Sequence, residues 1–375
     1  MSKRVIIVDV SHLCYKAAFG GMPALSVRKE VCGVMQDINT TIPTYVLKRI
    51  HAWSKGGWNP TVICFDSKGA NRSRNAYFAQ GFGIDMSSGT KAYKSGRSAE
   101  NDLFYTSVNA TANILHRSGV CCIKSDRYEA DDLIKACVDK AKATYPDYPI
   151  DIITGDADLV PLVDDQVSVF LSSKKMTWAE SEDLVKPHYV QITPTFYQEY
   201  LESLTAFKNL EVPYNTVLLA KLLRGDKSDG IDGYPKFTPT KYKNLLHQMQ
   251  DDDIDMSDLF RYDSPKKTYY YNGTDEEIPA ELVASVPKEE KYVKFGEPPA
   301  LIRMCNVLEN YLDEDIIKHI RFVYNGINLN GAFTDLPESF VRYPAVVSID
   351  IKGYKCVDLI NLARRELGIH LSYNP

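Results

Sequence analysis

Val5-Ile6-Ile7-Val8-Asp9 and Ile150-Asp151-Ile152-Ile153-Thr154 are short, mostly apolar runs; the first ends at Asp9, and the second is followed by Gly155 and Asp156. A run of this length and composition is typical of a strand that is buried on both faces of a sheet. Thr61–Phe65 has the same form and is followed by Asp66. Two further apolar runs predict strands at 120–123 and 167–171.

Helical patterns separate these predicted strands, at about 44–53, 99–117 and 129–145. Strands that alternate with helices predict an α/β fold with a mostly parallel central sheet flanked by helices. Ligands of such sheets bind beyond the carboxyl ends of the strands. Asp9, Asp66 and Asp156 all lie at those ends, so we expect their side chains to converge.

Nine carboxylates form five short groups along the chain: Asp9; Asp66; Glu129, Asp131 and Asp132; Asp156 and Asp158; and Asp226 and Asp229. Two like charges about 4 Å apart repel by roughly 4 kcal/mol at an effective dielectric constant near 20. Carboxylates that converge therefore require cations, and an all-oxygen site favours Mg²⁺ or Mn²⁺. Taken singly, the last three groups also fit an ordinary helix start, an Asx turn and a helix end, respectively.

The second half of the chain has a different pattern. Residues 191–250 are mainly helical in pattern, whereas residues 251–299 are acidic and rich in turn signals, including Asn272-Gly273, which favours a small hairpin. Helical spacing resumes over 300–375 and includes a last amphipathic helix at about 355–367. We therefore predict an α/β core over 1–190 and three further regions with these boundaries.

Composition indicates a globular protein, with 44% hydrophobic and 25% charged residues and no apolar run long enough for a membrane span. We expect a cytoplasmic protein with free thiols, because the eight cysteines form no C-x-x-C pair. The net charge is −5, yet residues 1–100 carry 14 basic against 6 acidic residues. This asymmetry favours a polyanionic partner only modestly.

The ordered set of motifs resembles the structure-specific 5′-nuclease family, which includes flap endonucleases, the 5′-nuclease domains of bacterial DNA polymerases and phage 5′-exonucleases. The resemblance covers roughly residues 1–245 and recurs weakly at 325–337. The motifs that carry it are Ile6-Ile-Val-Asp9, Cys64-Phe-Asp66, Tyr128-Glu-Ala-Asp-Asp132, Thr154-Gly-Asp-Ala-Asp158 and Gly225-Asp-Lys-Ser-Asp229. The resemblance implies a PIN-like nuclease core, an arch at about 72–105 and a helix–hairpin–helix-type part that binds duplex DNA.

All nine family carboxylate positions are filled by carboxylates. The resemblance implies that Asp9, Glu129, Asp131 and Asp132 surround one metal region and that Asp156, Asp158, Asp226 and Asp229 complete the other side. It further implies hydrolysis assisted by two divalent ions, or three, with Asp132 and Asp156 among the catalytic residues.

The basic segment Lys91-Ala-Tyr-Lys-Ser-Gly-Arg97 resembles part of the family's arch. The resemblance assigns Lys94 and Arg97 to the scissile phosphate, where a cation stabilises the charge of the transition state. Lys91 belongs to the same DNA-binding segment, and Tyr93 has the chemistry to stack on a splayed base. Arg72 and Arg74 have the charge to contact backbone phosphates. A solvated basic loop is the alternative interpretation.

One segment departs from the family pattern. The family usually has Gly-x-x-Gly-x-Gly after the last acidic pair, and only Gly233 stands at a matching position, while Lys236 and Thr238 occupy the other two. Lys236 and Lys241 supply charge that can replace amide contacts to duplex phosphates. The sequence leaves open whether duplex binding is weakened or rebuilt.

The resemblance implies a metal-dependent 5′-nuclease of phage replication that removes primers or flaps, located in the cytoplasm of a bacterial host if phage-encoded. Expected substrates are DNA with a 5′ flap, a nick or a free 5′ end, and RNA–DNA hybrids. A replication clamp and a single-strand-binding protein are candidate partners, and no membrane is expected. The alternatives are a PIN-type endoribonuclease and a catalytically silent DNA-binding scaffold.

Overall fold

The computed structural model describes residues 3–20, 25–31, 33–66, 102–125, 128–172, 189–196 and 350–371, together with the backbone of five short strands between 225 and 278. The chain divides into two compact units. The first comprises Met1–Ser73, Ser98–Pro194 and Val341–Pro375, and the second comprises Arg74–Arg97 and Thr195–Phe340.

A six-stranded sheet forms the centre of the first unit, in the order β5-β4-β1-β6-β7-β8. Its strands are β1 (Val5–Asp9), β4 (Thr61–Phe65), β5 (Cys121–Lys124), β6 (Ile150–Thr154), β7 (Val167–Ser172) and β8 (Tyr189–Ile192). The first five strands in that list are parallel, and β8 is antiparallel to β7. Every residue of β1, β4 and β6 is buried, as their apolar composition requires.

Helices cover both faces of this sheet. The helices are α1 (Val10–Phe19), α2 (Thr41–Trp53), α3 (Asp102–Arg117), α4 (Ala130–Thr144) and α5 (Cys356–Leu362), which continues as a π-helical turn over Ala363–Leu367. Helices α1, α2, α3 and α5 share one buried apolar cluster with Ile6 and Val8. Helix α4 packs against β1, β4 and β6, and its buried Leu133 and Val138 lie outside that cluster.

The predicted fold class is confirmed, since every strand predicted up to residue 171 is present and the sheet is mostly parallel. The sequence analysis did not predict helix α1, the antiparallel edge strand β8, or a hairpin of β2 (Ser26–Val31) and β3 (Val34–Asn39). The hairpin has mixed charged and apolar residues and is exposed at half of its positions. Its sequence therefore lacks the continuous apolar run by which the other strands were recognised.

In the second unit, one strand pair and one three-stranded sheet are described. Strand β9 (Gly225–Asp226) pairs with β10 (Ile231–Asp232), and β11 (Phe260–Asp263), β12 (Thr268–Tyr271) and β13 (Glu277–Ile278) form a three-stranded antiparallel sheet. The β12–β13 connection contains Asn272-Gly273, so the predicted hairpin is present. Most residues of the predicted arch and of the helices predicted over 191–250 and 300–324 lie outside the described residues, and the domain boundaries stay a prediction.

The C-terminal segment 350–371 belongs to the core of the first unit. Leu359, Leu362, Ala363, Leu367 and Leu371 are buried in the same apolar cluster as α1 and α2. The amide of Thr61, the first residue of β4, donates a hydrogen bond to the Lys352 carbonyl at 3.2 Å. The Tyr354 hydroxyl also lies 2.7 Å from Ser54 Oγ, and both groups are buried. Within the described ranges, no helix has the length and apolarity that crossing a bilayer demands.

Candidate metal centre

Asp9 is the last residue of β1 and the N-cap of α1, where its Oδ1 accepts a hydrogen bond from the His12 amide at 3.4 Å. Its Oδ2 accepts a second hydrogen bond from the Thr154 hydroxyl at 2.9 Å. The side chain is buried, and this burial, together with repulsion from Asp66 and Asp156, raises the pKa of Asp9 to about 7. Asp9, Asp66 and Asp156 therefore interact electrostatically at one edge of the sheet.

Thr154 ends β6 and connects Asp9 to the next pair of acidic residues. Its buried hydroxyl donates to Asp9 and accepts a hydrogen bond from the Asp156 amide at 2.9 Å. Asp156 then caps a 3₁₀ turn over Ala157–Leu162, and its Oδ1 accepts a hydrogen bond from the Asp158 amide at 2.9 Å. This turn is the local reason that two acidic residues can follow a buried strand.

Asp66 follows β4 and contacts the start of α4. Its Oδ1 accepts a hydrogen bond from the Ala130 amide at 2.7 Å, and its own amide donates to Ser11 Oγ at 3.1 Å. Ala130 is the first residue of α4, so the Asp66 carboxylate lies at the positive end of that helix. These two contacts hold Asp66 against both α1 and α4.

Glu129 and Asp132 form a capping box at the same end of α4. The Glu129 amide donates to Asp132 Oδ2 at 3.3 Å, and the Glu129 side chain accepts from the amide of Asp132. Both side chains are buried, whereas Asp131 is half-buried. The acidic start of this helix, expected from the sequence, therefore includes two carboxylates held by backbone amides.

Five described carboxylates thus accept hydrogen bonds from nearby amides or hydroxyls: Asp9, Asp66, Glu129, Asp132 and Asp156. Such bonds stabilise the charged form of a carboxylate. Among the residues that the structure describes, no three His, Cys, Asp or Glu side chains form a group that could hold a metal ion. The arrangement brings carboxylates together at the ends of β1, β4 and β6 but does not form a closed cage.

The chemistry of these groups fits a hard divalent cation. The acidic residues at the strand ends offer carboxylate oxygens, which Mg²⁺ and Mn²⁺ prefer. Burial and the repulsion from Asp66 and Asp156 raise the pKa of Asp9, and a cation beside its carboxylate would offset the repulsion. Asp9, Asp66, Asp156 and Asp158 are the described residues that would hold it from the strand ends, with Glu129, Asp131 and Asp132 from α4.

His12 is a residue near the site that the sequence did not single out. Its ring lies beside Gly155, the residue that separates Thr154 from Asp156 in the sequence. Its Nε2 is 3.3 Å from the Tyr189 hydroxyl. Burial, and secondarily the charge of Lys16, lower the pKa of His12 to about 4, so the imidazole is neutral at pH 7. Its position three residues after Asp9, on the first turn of α1, is the signal that could have identified it.

The remaining predicted site residues are not placed by the structure. The arch residues Arg72, Arg74, Lys91, Tyr93, Lys94 and Arg97 and the duplex-binding residues Lys236 and Lys241 lie outside the described residues. So do Asp229 and the side chain of Asp226, whose backbone lies in β9. The roles assigned to all of these residues stay predictions.

Comparison with known proteins identifies the family. Residues 4–190 match the family model described as 5′-3′ exonuclease, N-terminal resolvase-like domain. DNA polymerase I of Streptococcus pneumoniae is 26% identical over 234 residues, which is 62% of this chain and 22% of that polymerase. The 5′-3′ exonuclease of Buchnera aphidicola is 26% identical over 235 residues, which is 62% of this chain and 66% of that exonuclease.

The chain thus spans 22–24% of the length of the first bacterial polymerases that it matches. Among solved structures, a bacteriophage T5 flap endonuclease in a complex with DNA and metal ions has a TM-score of 0.48 and 14% identity. That likeness covers 97% of this chain and 100% of the other, at a level too low to bear on function. The match over residues 4–190, on a core with the expected parallel sheet, shows that the chain belongs to the 5′-3′ exonuclease family through its N-terminal resolvase-like domain.

Proposed function

We propose that this protein is a divalent-metal-dependent 5′-nuclease that hydrolyses phosphodiester bonds in branched or nicked DNA and in RNA–DNA hybrids. The observation that carries the proposal is the meeting of Asp9, Asp66 and Asp156 at the carboxyl ends of three neighbouring parallel strands. Burial and mutual repulsion disfavour the ionised form of Asp9, so the caps that these carboxylates form do not by themselves account for their convergence at this edge. Their placement supports a site for a cationic cofactor.

The bound ions, two or three Mg²⁺ or Mn²⁺, would lower the pKa of a water molecule and offset negative charge on the scissile phosphate. The described residues supply the frame for this chemistry. The capping box at α4 orients Glu129 and Asp132, and the 3₁₀ turn orients Asp156 and Asp158. Thr154 fixes the distance between the Asp9 carboxylate and this turn through its two hydrogen bonds.

The proposal assigns the remaining roles from the family pattern. Asp226 and Asp229 complete the metal-binding set, Lys94 and Arg97 contact the scissile phosphate, and Tyr93 stacks on a base. The other basic residues proposed for DNA binding are Arg72, Arg74, Lys91, Lys236 and Lys241. The proposed setting is phage DNA replication, in which the enzyme removes primers or flaps, with a clamp or single-strand-binding protein as candidate partners.

The test uses Asp156→Asn and Asp132→Asn in the full chain. Asparagine keeps an oxygen that can accept the hydrogen bond at each position, so the helix and turn caps persist while one negative charge is lost. We expect Mg²⁺-dependent cleavage of a labelled 5′-flap DNA to disappear in both variants, while DNA binding in EDTA changes little. Full activity in either variant would refute the assignment.

A matched control is Asp147→Asn, which removes an exposed acidic residue in the turn after α4. It should leave flap cleavage unchanged. Single-stranded RNA, tested beside the flap, addresses the endoribonuclease alternative, because that class would cleave RNA in preference. Calorimetry with Mn²⁺ addresses the silent scaffold, which need not bind the ions.

A further inference from the structure

The ring of His12 and the backbone of Gly155 are in close contact. A Cβ atom built on Gly155 would lie 2.1 Å from His12 Nδ1, 2.6 Å from Cε1 and 2.8 Å from Cγ. These separations are far below van der Waals contact, so no side chain fits at position 155 while the imidazole is in place. Gly155 does not have a positive φ angle. The space beside His12, and not an unusual backbone conformation, therefore requires glycine here.

The imidazole cannot easily move away, because other groups fix it on its far side. Its Nε2 is 3.3 Å from the Tyr189 hydroxyl, and the two rings meet edge-to-face with centroids 6.1 Å apart. Tyr189 is itself buried and contacts the Trp53 ring edge-to-face at 5.6 Å. Lys16 further restrains Tyr189, with its Nζ 5.4 Å from the centre of the tyrosine ring. The packed side chains of the apolar core thus hold the His12 ring against Gly155.

The His12 ring contacts the part of the chain that carries the carboxylates of Asp156 and Asp158. Gly155 lies between Thr154, which binds Asp9, and Asp156, which caps the 3₁₀ turn. The backbone of His12 contacts the same site from the other side, since its amide donates to Asp9 Oδ1. One residue therefore contacts the carboxylate at the end of β1 and the turn that follows β6.

We propose that His12 is a positioning residue that sets the distance between Asp9 and the Asp156–Asp158 turn, and hence the spacing of metal-binding oxygens. This inference rests on the proposed function. His12 contributes through its shape, because its ring occupies the space between α1 and the Gly155 backbone. Loss of the ring would allow the turn to shift, and a displacement of about 1 Å is enough to cost a reaction roughly 100-fold.

The first test compares His12→Ala with His12→Phe, using wild-type protein and the exposed-histidine variant His116→Ala as controls. Mn²⁺ affinity is measured by calorimetry, and kcat and KM are measured on a labelled 5′-flap DNA. For His12→Ala we expect Mn²⁺ affinity and kcat to fall by about tenfold or more, with KM for DNA little changed. His12→Phe retains a ring and should keep a larger part of the Mn²⁺ affinity and of kcat than His12→Ala. His116→Ala should match the wild type.

The second test is reciprocal. Gly155→Ala should lose Mn²⁺ affinity because its methyl group meets the imidazole, and the double variant Gly155→Ala with His12→Ala should recover part of that loss. A merely destabilising effect would appear as a lower melting temperature in EDTA without this recovery. Equal Mn²⁺ affinity in His12→Ala and wild type, or no recovery in the double variant, would overturn the positioning role. Wild-type protein that binds Mn²⁺ but cleaves no flap would refute the proposed function alone.

Discussion

The Thr154 hydroxyl donates a hydrogen bond to Asp9 Oδ2 at 2.9 Å and so joins the ends of β6 and β1. The same oxygen accepts a hydrogen bond from the Asp156 amide, which links two carboxylates that lie far apart in the sequence. Replacing Thr154 by Val would keep the shape but remove both hydrogen bonds. The fold at this edge would then have a half-buried amide and a buried carboxylate without their hydroxyl partner.

We expect Thr154→Val to lower the free energy of unfolding by about 1–3 kcal/mol and to reduce flap cleavage by at least about tenfold. Thr154→Ser keeps the hydroxyl and should restore most of the activity. The measurements are urea unfolding in EDTA and kcat on a labelled flap. Equal kcat in Thr154→Val and Thr154→Ser would show that the hydroxyl does not position the site.

The raised pKa of Asp9 predicts a pH dependence of stability in the absence of metal. The pKa is about 7 in the folded protein against an ordinary value of 3.8, so the folded state holds this proton more tightly than the unfolded chain. The stabilising contribution is complete below about pH 4 and is lost as the pH rises to 7. Its size is on the order of 4 kcal/mol, since the pKa rises by about 3 units and each unit corresponds to about 1.4 kcal/mol.

Asp9→Asn should remove this loss, because asparagine does not ionise. In EDTA, we expect the variant to gain stability relative to the wild type as the pH rises from 4 to 8. Asp147→Asn, the exposed control, should follow the wild-type curve. Mg²⁺ should stabilise the wild type at pH 8 more than it stabilises Asp9→Asn. Parallel wild-type and Asp9→Asn curves would contradict the assignment.

Helix α5 contributes to the core of the first unit. Leu359 is fully buried in the cluster shared with α1 and α2, whereas Val357, two residues earlier, is 53% exposed. We expect Leu359→Ala to cost about 2–5 kcal/mol of the free energy of unfolding, and Val357→Ala less than about 0.5 kcal/mol. Urea unfolding monitored by tryptophan fluorescence measures both. An equal effect of the two substitutions would show that α5 is not part of the core.

Two basic residues of the predicted arch should affect different properties, one the rate of cleavage and the other the affinity for DNA. Lys94→Ala should lower kcat far more than DNA affinity, because Lys94 is assigned to charge that develops in the transition state. Lys91→Ala should mainly weaken DNA binding and reduce its salt dependence, since a phosphate contact acts on the ground state as well. Flap cleavage and binding across a salt series separate these effects. An unchanged rate in Lys94→Ala would remove Lys94 from the mechanism.

The sequence predicted the elements whose apolar pattern is continuous or strongly periodic. Strand β6 has the predicted bounds, and α4 begins within one residue of its predicted start. The edge strand β8 was missed because it is short, and the β2–β3 hairpin was missed because half of its residues are exposed. Tertiary contacts therefore decide the conformation of both elements. The strand-end placement of Asp9, Asp66 and Asp156 was predicted correctly from topology.

The partners of these acidic residues were beyond the reach of sequence patterns. The capping box has a local signature in the spacing of Glu129 and Asp132. In contrast, Thr154 meets Asp9 across 145 residues and His12 meets Tyr189 across 177, and no spacing rule connects residues so distant. Packing of the completed core determines these contacts.

The return of the C-terminal segment to the sheet has a consequence for synthesis of the protein on the ribosome. Ser54 and Tyr354 share a buried hydrogen bond although 300 residues separate them. The apolar surface that later receives Leu359 is therefore uncovered while those intervening residues are being translated. The core of the first unit therefore acquires this layer only after residues 350–371 have been translated, and until then its uncovered apolar surface favours aggregation of the nascent polypeptide.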